Sequence, residues 1–188
     1  MQVKAIAPTL LTLLVTCCDA QVQLPLEKGT KMLVTYFSHS GNTREIALQI
    51  KDAADADIYE IVPDHPYPTN YNAVVTQARQ ELRAEYRPEL KSAPVNITSY
   101  DVIFVGSPNW WSTIAPPVMT FLSSHDFSGK TIVPFITHEG SGLGKSMADV
   151  KRLAPGATVL EGRAFRGRAV KDARSEVREW VHGLNLQE

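Results

Sequence analysis

The eight residues Tyr36-Phe37-Ser38-His39-Ser40-Gly41-Asn42-Thr43 bring together the groups of this chain best suited to hold an anion. Ser38, Ser40, Asn42 and Thr43 offer side-chain donors, and Gly41 lets a backbone approach whatever they hold. The apolar run Met32 to Phe37 precedes them and a helical pattern follows. Their N–H groups would therefore converge at the positive end of a helix, which suits a phosphate. A polar turn closed by a capping box, with Asn42 and Glu45 at the required spacing, accounts for the same residues without a ligand.

Two further segments carry distinctive chemistry. Pro108-Asn109-Trp110-Trp111 sets two adjacent indoles in a loop. An indole gives a planar ligand a flat face, worth about 0.5–1.5 kcal/mol beyond area burial; packing in the core or at a dimer contact explains the pair equally well. The segment Thr137-His138-Glu139-Gly140-Ser141-Gly142-Leu143-Gly144-Lys145-Ser146 ends like a triphosphate loop. Its register is wrong, because the first glycine should stand where Glu139 does and a carboxylate there would repel a triphosphate. Gly140 and Gly142 instead let backbone amides reach the edge of a ring. His138 either contacts the ligand and moves a proton, or forms a solvated pair with Glu139. His39, His65, His125 and His182 lack metal-ligand spacing, and no metal site is expected.

Five apolar runs must position these loops: Met32 to Phe37, Ile58 to Val62, Val102 to Val105, Thr131 to Ile136 and Thr158 to Phe165. Three of these are short and almost wholly hydrophobic, which suits strands covered on both faces. Helical stripes lie between them: Ile46, Ala47, Ile50 and Ala54; Tyr71, Val74, Val75, Ala78 and Leu82; and Ala173, Val177, Trp180, Val181 and Leu184. Pro116-Pro117 starts a shorter helix, where a missing N–H costs little. This alternation implies right-handed crossovers, an open α/β sheet with helices on both faces, and ligands outside the carboxyl ends of its strands. Pro134 removes a ladder donor from the fourth run, so a bulge or local break is expected there.

With 188 residues and 44% hydrophobic content, the chain suffices for one domain. Its formal charge of -1 argues against nucleic acid as the main partner, which would require a concentrated basic face. Lys4 and the apolar stretch Ala5 to Val15 read as an export signal over residues 1–20, too short to span a bilayer permanently. Leu14-Val15-Thr16-Cys17 resembles a bacterial lipoprotein box, which would attach lipid to Cys17 and place the protein in the cell envelope or periplasm. Residues 21–30 then form a linker and 31–188 the domain. Cys17 and Cys18 are the only cysteines, so the domain contains no disulfide or catalytic thiol. Arg174 and Arg178 alternate with Glu176 and Glu179 as a solvated helix face, whereas Arg163, Arg166 and Arg168 could dock an acidic electron partner or a pyridine-nucleotide phosphate.

The motifs Tyr-Phe-Ser-His-Ser-Gly-Asn-Thr (36–43), Val-Gly-Ser-Pro-Asn-Trp-Trp (105–111) and Pro-Phe-Ile-Thr-His-Glu-Gly-Ser-Gly (134–142) together resemble a flavodoxin. The resemblance covers residues 31–185. It implies a five-stranded parallel sheet of order 2-1-3-4-5 holding one FMN. Ser38, His39, Ser40, Gly41, Asn42 and Thr43 match the phosphate loop. Pro108, Asn109, Trp110 and Trp111 match the first ring loop, and Thr137, His138, Glu139, Gly140, Ser141 and Gly142 the second. The resemblance further implies a redox partner protein, with NAD(P)H-dependent flavin or quinone reduction as the enzymatic alternative and a non-redox phosphate- or nucleotide-binding module as a third. Two features depart from the pattern. The second ring loop has no aromatic residue, which would leave one flavin face open. Trp111 stands where many flavodoxins carry a glycine, and a bulky residue resists positive φ. Tyr67 and Tyr71 are candidates to cover the flavin from the loop after the second strand, with core packing the expected place of Tyr71.

Overall fold

A computed structural model describes residues 29–92 and 95–186. The expected export signal over 1–20, its Cys17 and all but the last two linker residues lie outside the described residues. The central strands are β1 (Met32–Tyr36), β3 (Val102–Trp110) and β5 (Thr131–His138), with β2 (Asp57–Glu60) outside β1. All pair in parallel. The far edge is split between β6 (Thr158–Val159) and β7 (Arg163–Arg166), both parallel to β5. Counting β6 and β7 as one interrupted strand, the order is the expected 2-1-3-4-5.

Side chains alternate between two cores, as the two-residue period of a strand requires. On one face Leu33, Ile103 and Ile132 meet α2 (Tyr71–Arg83), α3 (Pro116–Ser123) and α4 (Ser146–Leu153). On the other, Val34, Phe104 and Val133 meet α1 (Asn42–Ala54) and α5 (Arg174–Gly183). Val74 and Ala78 of α2 are buried, but Tyr71 is 77% exposed and not a core residue. Tyr71 opens α2 directly after the Asn70 cap, which accepts the Ala73 N–H at 3.1 Å, so it precedes the turns that reach the sheet.

β5 runs unbroken through Pro134, and the interruption falls on its neighbour instead. Ile132 O accepts the Leu160 N–H at 2.9 Å. Alternate residues of a strand turn their backbone groups to the same side, so Pro134 also faces the edge strand. There β6 has ended and β7 has not begun, and Gly162 lies against Pro134, where an added Cβ would come within 2.8 Å of the proline carbonyl. The missing donor is placed where no ladder bond is made. The run Thr158 to Phe165 is accordingly two short strands, not one.

Candidate functional site

The loops after β1, β3 and β5 meet at the carboxyl ends of the strands. In the first loop Gly41, at φ 93°, is the N-cap of α1, and no side-chain cap closes the helix. The Asn42–Glu45 capping box does not form, because the helix begins at Asn42 and the Glu45 carboxylate accepts from Gln49 instead. Ser38 Oγ accepts the Gly41 N–H at 3.1 Å and so draws the loop into a concave turn. The first-turn amides of α1 are thereby left to an external acceptor, as an anion cradle requires. His39 donates from Nε2 to Pro68 O at 2.8 Å, which sets its tautomer, and its ring stands edge-on to Trp110 at 5.9 Å.

β3 continues past Val105 to Trp110 and turns back as a hairpin with β4 (Thr113–Ile114), pairing Trp110 with Thr113. Trp111 and Ser112 are its two turn residues, at φ 54° and 67°. The tryptophan expected to resist positive φ adopts it, in a two-residue turn of the kind that usually needs Asn-Gly. Tertiary bonds hold this strained pair. Trp111 Nε1 donates to Val75 O at 3.0 Å, and Arg79 lies 4.8 Å above its indole. Ser112 O accepts the Lys145 N–H at 2.6 Å. Thr113 Oγ1 donates to the Asp149 carboxylate at 2.5 Å.

The two indoles thus differ in setting. Trp110 is half-buried and its ring meets Phe37 at 5.5 Å and Tyr67 at 4.9 Å, both edge to face. Trp111 is 49% exposed. Tyr67 does not form an open lid; it is buried behind Trp110 and donates its hydroxyl to Glu81. Burial, and then that hydrogen bond to a carboxylate, push its phenol far above the ordinary tyrosine range.

The third loop is tied to both others. Thr137 Oγ1 bonds Thr43 Oγ1 at 2.8 Å in the buried floor between β5 and α1. Asn109 Nδ2 donates to Gly142 O at 2.8 Å. His138 Nδ1 accepts the Gly140 N–H at 2.9 Å, so Nε2 carries the proton of the neutral ring as a donor. Glu139 and Ser141 are exposed. Asn42 and the Glu139 carboxylate both abut Gly167, where an added Cβ would make the ends of both side chains shift.

Sequence reasoning also missed Asp149 and Thr113, whose bond braces the hairpin from α4. Burial works to raise the Asp149 carboxyl, but the Thr113 hydroxyl, the Arg152 guanidinium at 2.8 Å and the Lys145 charge outweigh it and hold the group below the usual range. Of the arginines near the C-terminus, Arg163 is committed to Glu176 at 2.7 Å and Arg174 to Asp52 at 3.5 Å. Arg166 and Arg168 are exposed on either side of Gly167.

The chain belongs to the flavodoxin family, whose model matches residues 31–184. No curated protein matches it. Among solved structures, a provisionally named flavoprotein from Bacteroides eggerthii is 34% identical, with 79% of this chain and 98% of that one covered at a TM-score of 0.67. A second such protein, from Bacteroides uniformis, is 32% identical, with 82% and 99% covered at 0.72. A Lactobacillus acidophilus flavoprotein in complex with FMN is 25% identical, with 78% and 99% covered at 0.62.

Proposed function

We propose that this protein binds one FMN across the three loops and transfers electrons to a redox partner. The observation that carries this reading is the uncapped start of α1 beneath a left-handed Gly41, with half-buried Trp110 beside it and both neighbouring loops tied down. When bound, FMN supplies the electron-transfer chemistry, and the protein supplies position and electrostatics. Ser38, Ser40, Asn42 and Thr43, with the first-turn amides, would hold the phosphate. Pro108 to Trp111 would line one side of the ring, and Thr137 to Gly142 its edge. His138 offers an Nε2 donor and Asn109 keeps the Gly142 carbonyl in place.

Arg166 and Arg168 would face an acidic partner, beside the segment that Asn42 and Glu139 touch. Export, with lipid on Cys17, would place that exchange at the cell envelope. The test is reconstitution of purified protein with FMN under anaerobic conditions. A 1:1 yellow complex bleached by dithionite or a reductase partner, but not by NADPH, is expected. A protein that stays colourless in excess FMN refutes the reading and leaves the non-redox binding module. Rapid bleaching by NADPH replaces the carrier with an NAD(P)H-dependent reductase.

A further inference from the structure

Behind the hairpin, between α2 and the start of α4, lies a cavity of about 510 Å³, within the range of small-molecule sites. Its walls carry Arg79, Arg83, Arg87, Lys145 and Arg152 against two carboxylates, Glu85 and Asp149. Such a surplus is unusual in a chain whose formal charge is -1. Asp149 is already engaged by Arg152 and the Thr113 hydroxyl, and Arg87 donates to the backbone carbonyls of Glu85 and Tyr86. Among the described residues, no carboxylate lies within ion-pair distance of Arg79, Arg83 or Lys145. Arg79 stacks on Trp111, which is 49% exposed and lines the same groove.

We infer that this groove is a second binding site, and that it takes a nucleotide: a small molecule that joins a flat aromatic ring to two or more phosphate charges. Three cations outside ion-pair distance of any described carboxylate supply charge-assisted bonds to phosphate, and guanidinium forks match its oxygens two at a time. Trp111 supplies the planar contact. The walls are already in place, because the Val75, Ser112 and Asp149 bonds fix the hairpin to α2 and α4. An indole platform beside clustered cations suits a ring joined to phosphates better than a run of carboxylates on an acidic protein, which has no use for the ring contact. Trp111 is the one residue the site shares with the FMN cradle, so titration with FMN absent and present tells the two occupancies apart.

The experiment is calorimetric titration of the full chain, with FMN absent and present, using NADP+ as the nucleotide and inorganic pyrophosphate as the ringless probe. NADP+ is expected to bind with a Kd below 1 mM at about 50 mM salt and more weakly at higher salt, following the screening of its phosphates. Arg83→Gln with Lys145→Gln should raise that Kd at least tenfold while leaving FMN affinity and the unfolding midpoint unchanged. Lys145→Glu alone should weaken NADP+ further than Lys145→Gln. Absence of NADP+ binding to the wild type, or a Kd that ignores these exposed substitutions, overturns the proposal. Pyrophosphate binding as tightly as NADP+ overturns the nucleotide assignment, because the indole then contributes nothing. Failure of FMN to bind, with NADP+ binding intact, refutes the electron-transfer reading and leaves the groove standing.

Discussion

Gly144→Ala tests whether the hairpin and the third loop are one mechanical unit. Gly144 has φ 54°, and left-handed backbone costs a residue with a Cβ about 1–2 kcal/mol. An added Cβ would also stand 2.8 Å from the Ser112 carbonyl carbon and 3.0 Å from its Cα, and would collide with the carbonyl oxygen. That oxygen cannot retreat freely, because it accepts the Lys145 N–H at 2.6 Å and belongs to a residue itself held at φ 67°. Losing the bond adds about 1 kcal/mol, for a total of about 2–4 kcal/mol including residual strain. Gly142→Ala is the matched control: its φ is 61°, but no heavy atom lies within 4 Å of the added Cβ, so only the conformational cost remains. Urea unfolding separates the two, since a denaturant slope of about 1–3 kcal/mol per molar turns the extra loss into a lower midpoint for Gly144→Ala. FMN affinity should fall in step, because Asn109 and His138 are anchored in the same loop. Equal midpoints for the two variants would refute the coupling.

Thr43→Val should cost about 1–3 kcal/mol by leaving the buried Thr137 hydroxyl unpaired, while Thr43→Val with Thr137→Val recovers most of the loss; thermal unfolding across the double-mutant cycle measures the coupling. Ser38→Ala should raise the FMN Kd about five- to tenfold, equivalent to roughly 1 kcal/mol, with little effect on the unfolding midpoint; flavin fluorescence quenching reports it. For Asp149, the folded carboxyl lies below its ordinary value of 3.8, so its contribution is complete above the unfolded value and is lost as pH falls through the folded one. The stability difference between wild type and Asp149→Asn should therefore be constant above about pH 5 and shrink on acidification below about pH 4, as urea midpoints across that range will show.

The parallel sheet was legible because a strand buried on both faces is apolar for most of its length, as Met32 to Phe37, Val102 to Val105 and Thr131 to Ile136 are, with Thr35 and Thr131 the polar exceptions. The α1 and α5 stripes were legible for the matching reason of helical period: Ile46, Ala47, Ile50 and Ala54 all face the core, as do Ala173, Val177 and Val181. Tyr71 deceived because periodicity gives the direction of a face but not how far the sheet extends beneath it. Pro134 deceived differently: the missing donor was real, but which neighbour lacked an acceptor depended on the edge strand. Arg79 and Arg83 carried no signal in the sequence, because nothing local to α2 says that they line one groove with Lys145.

The amino-acid sequence by itself determined that a donor-rich loop follows the first strand and opens a helix, because residue chemistry and hydrophobic period are local properties. Tertiary structure alone decided what those groups can reach. It left α1 uncapped, set Trp110 against Phe37 and Tyr67, and forced Trp111 and Ser112 into left-handed backbone against their own preference. The physical reason is that a strained turn persists only when distant partners outweigh its cost. Here those partners are Val75, Lys145 and Asp149, which lie 33 to 36 residues away in sequence from the hairpin residues they hold.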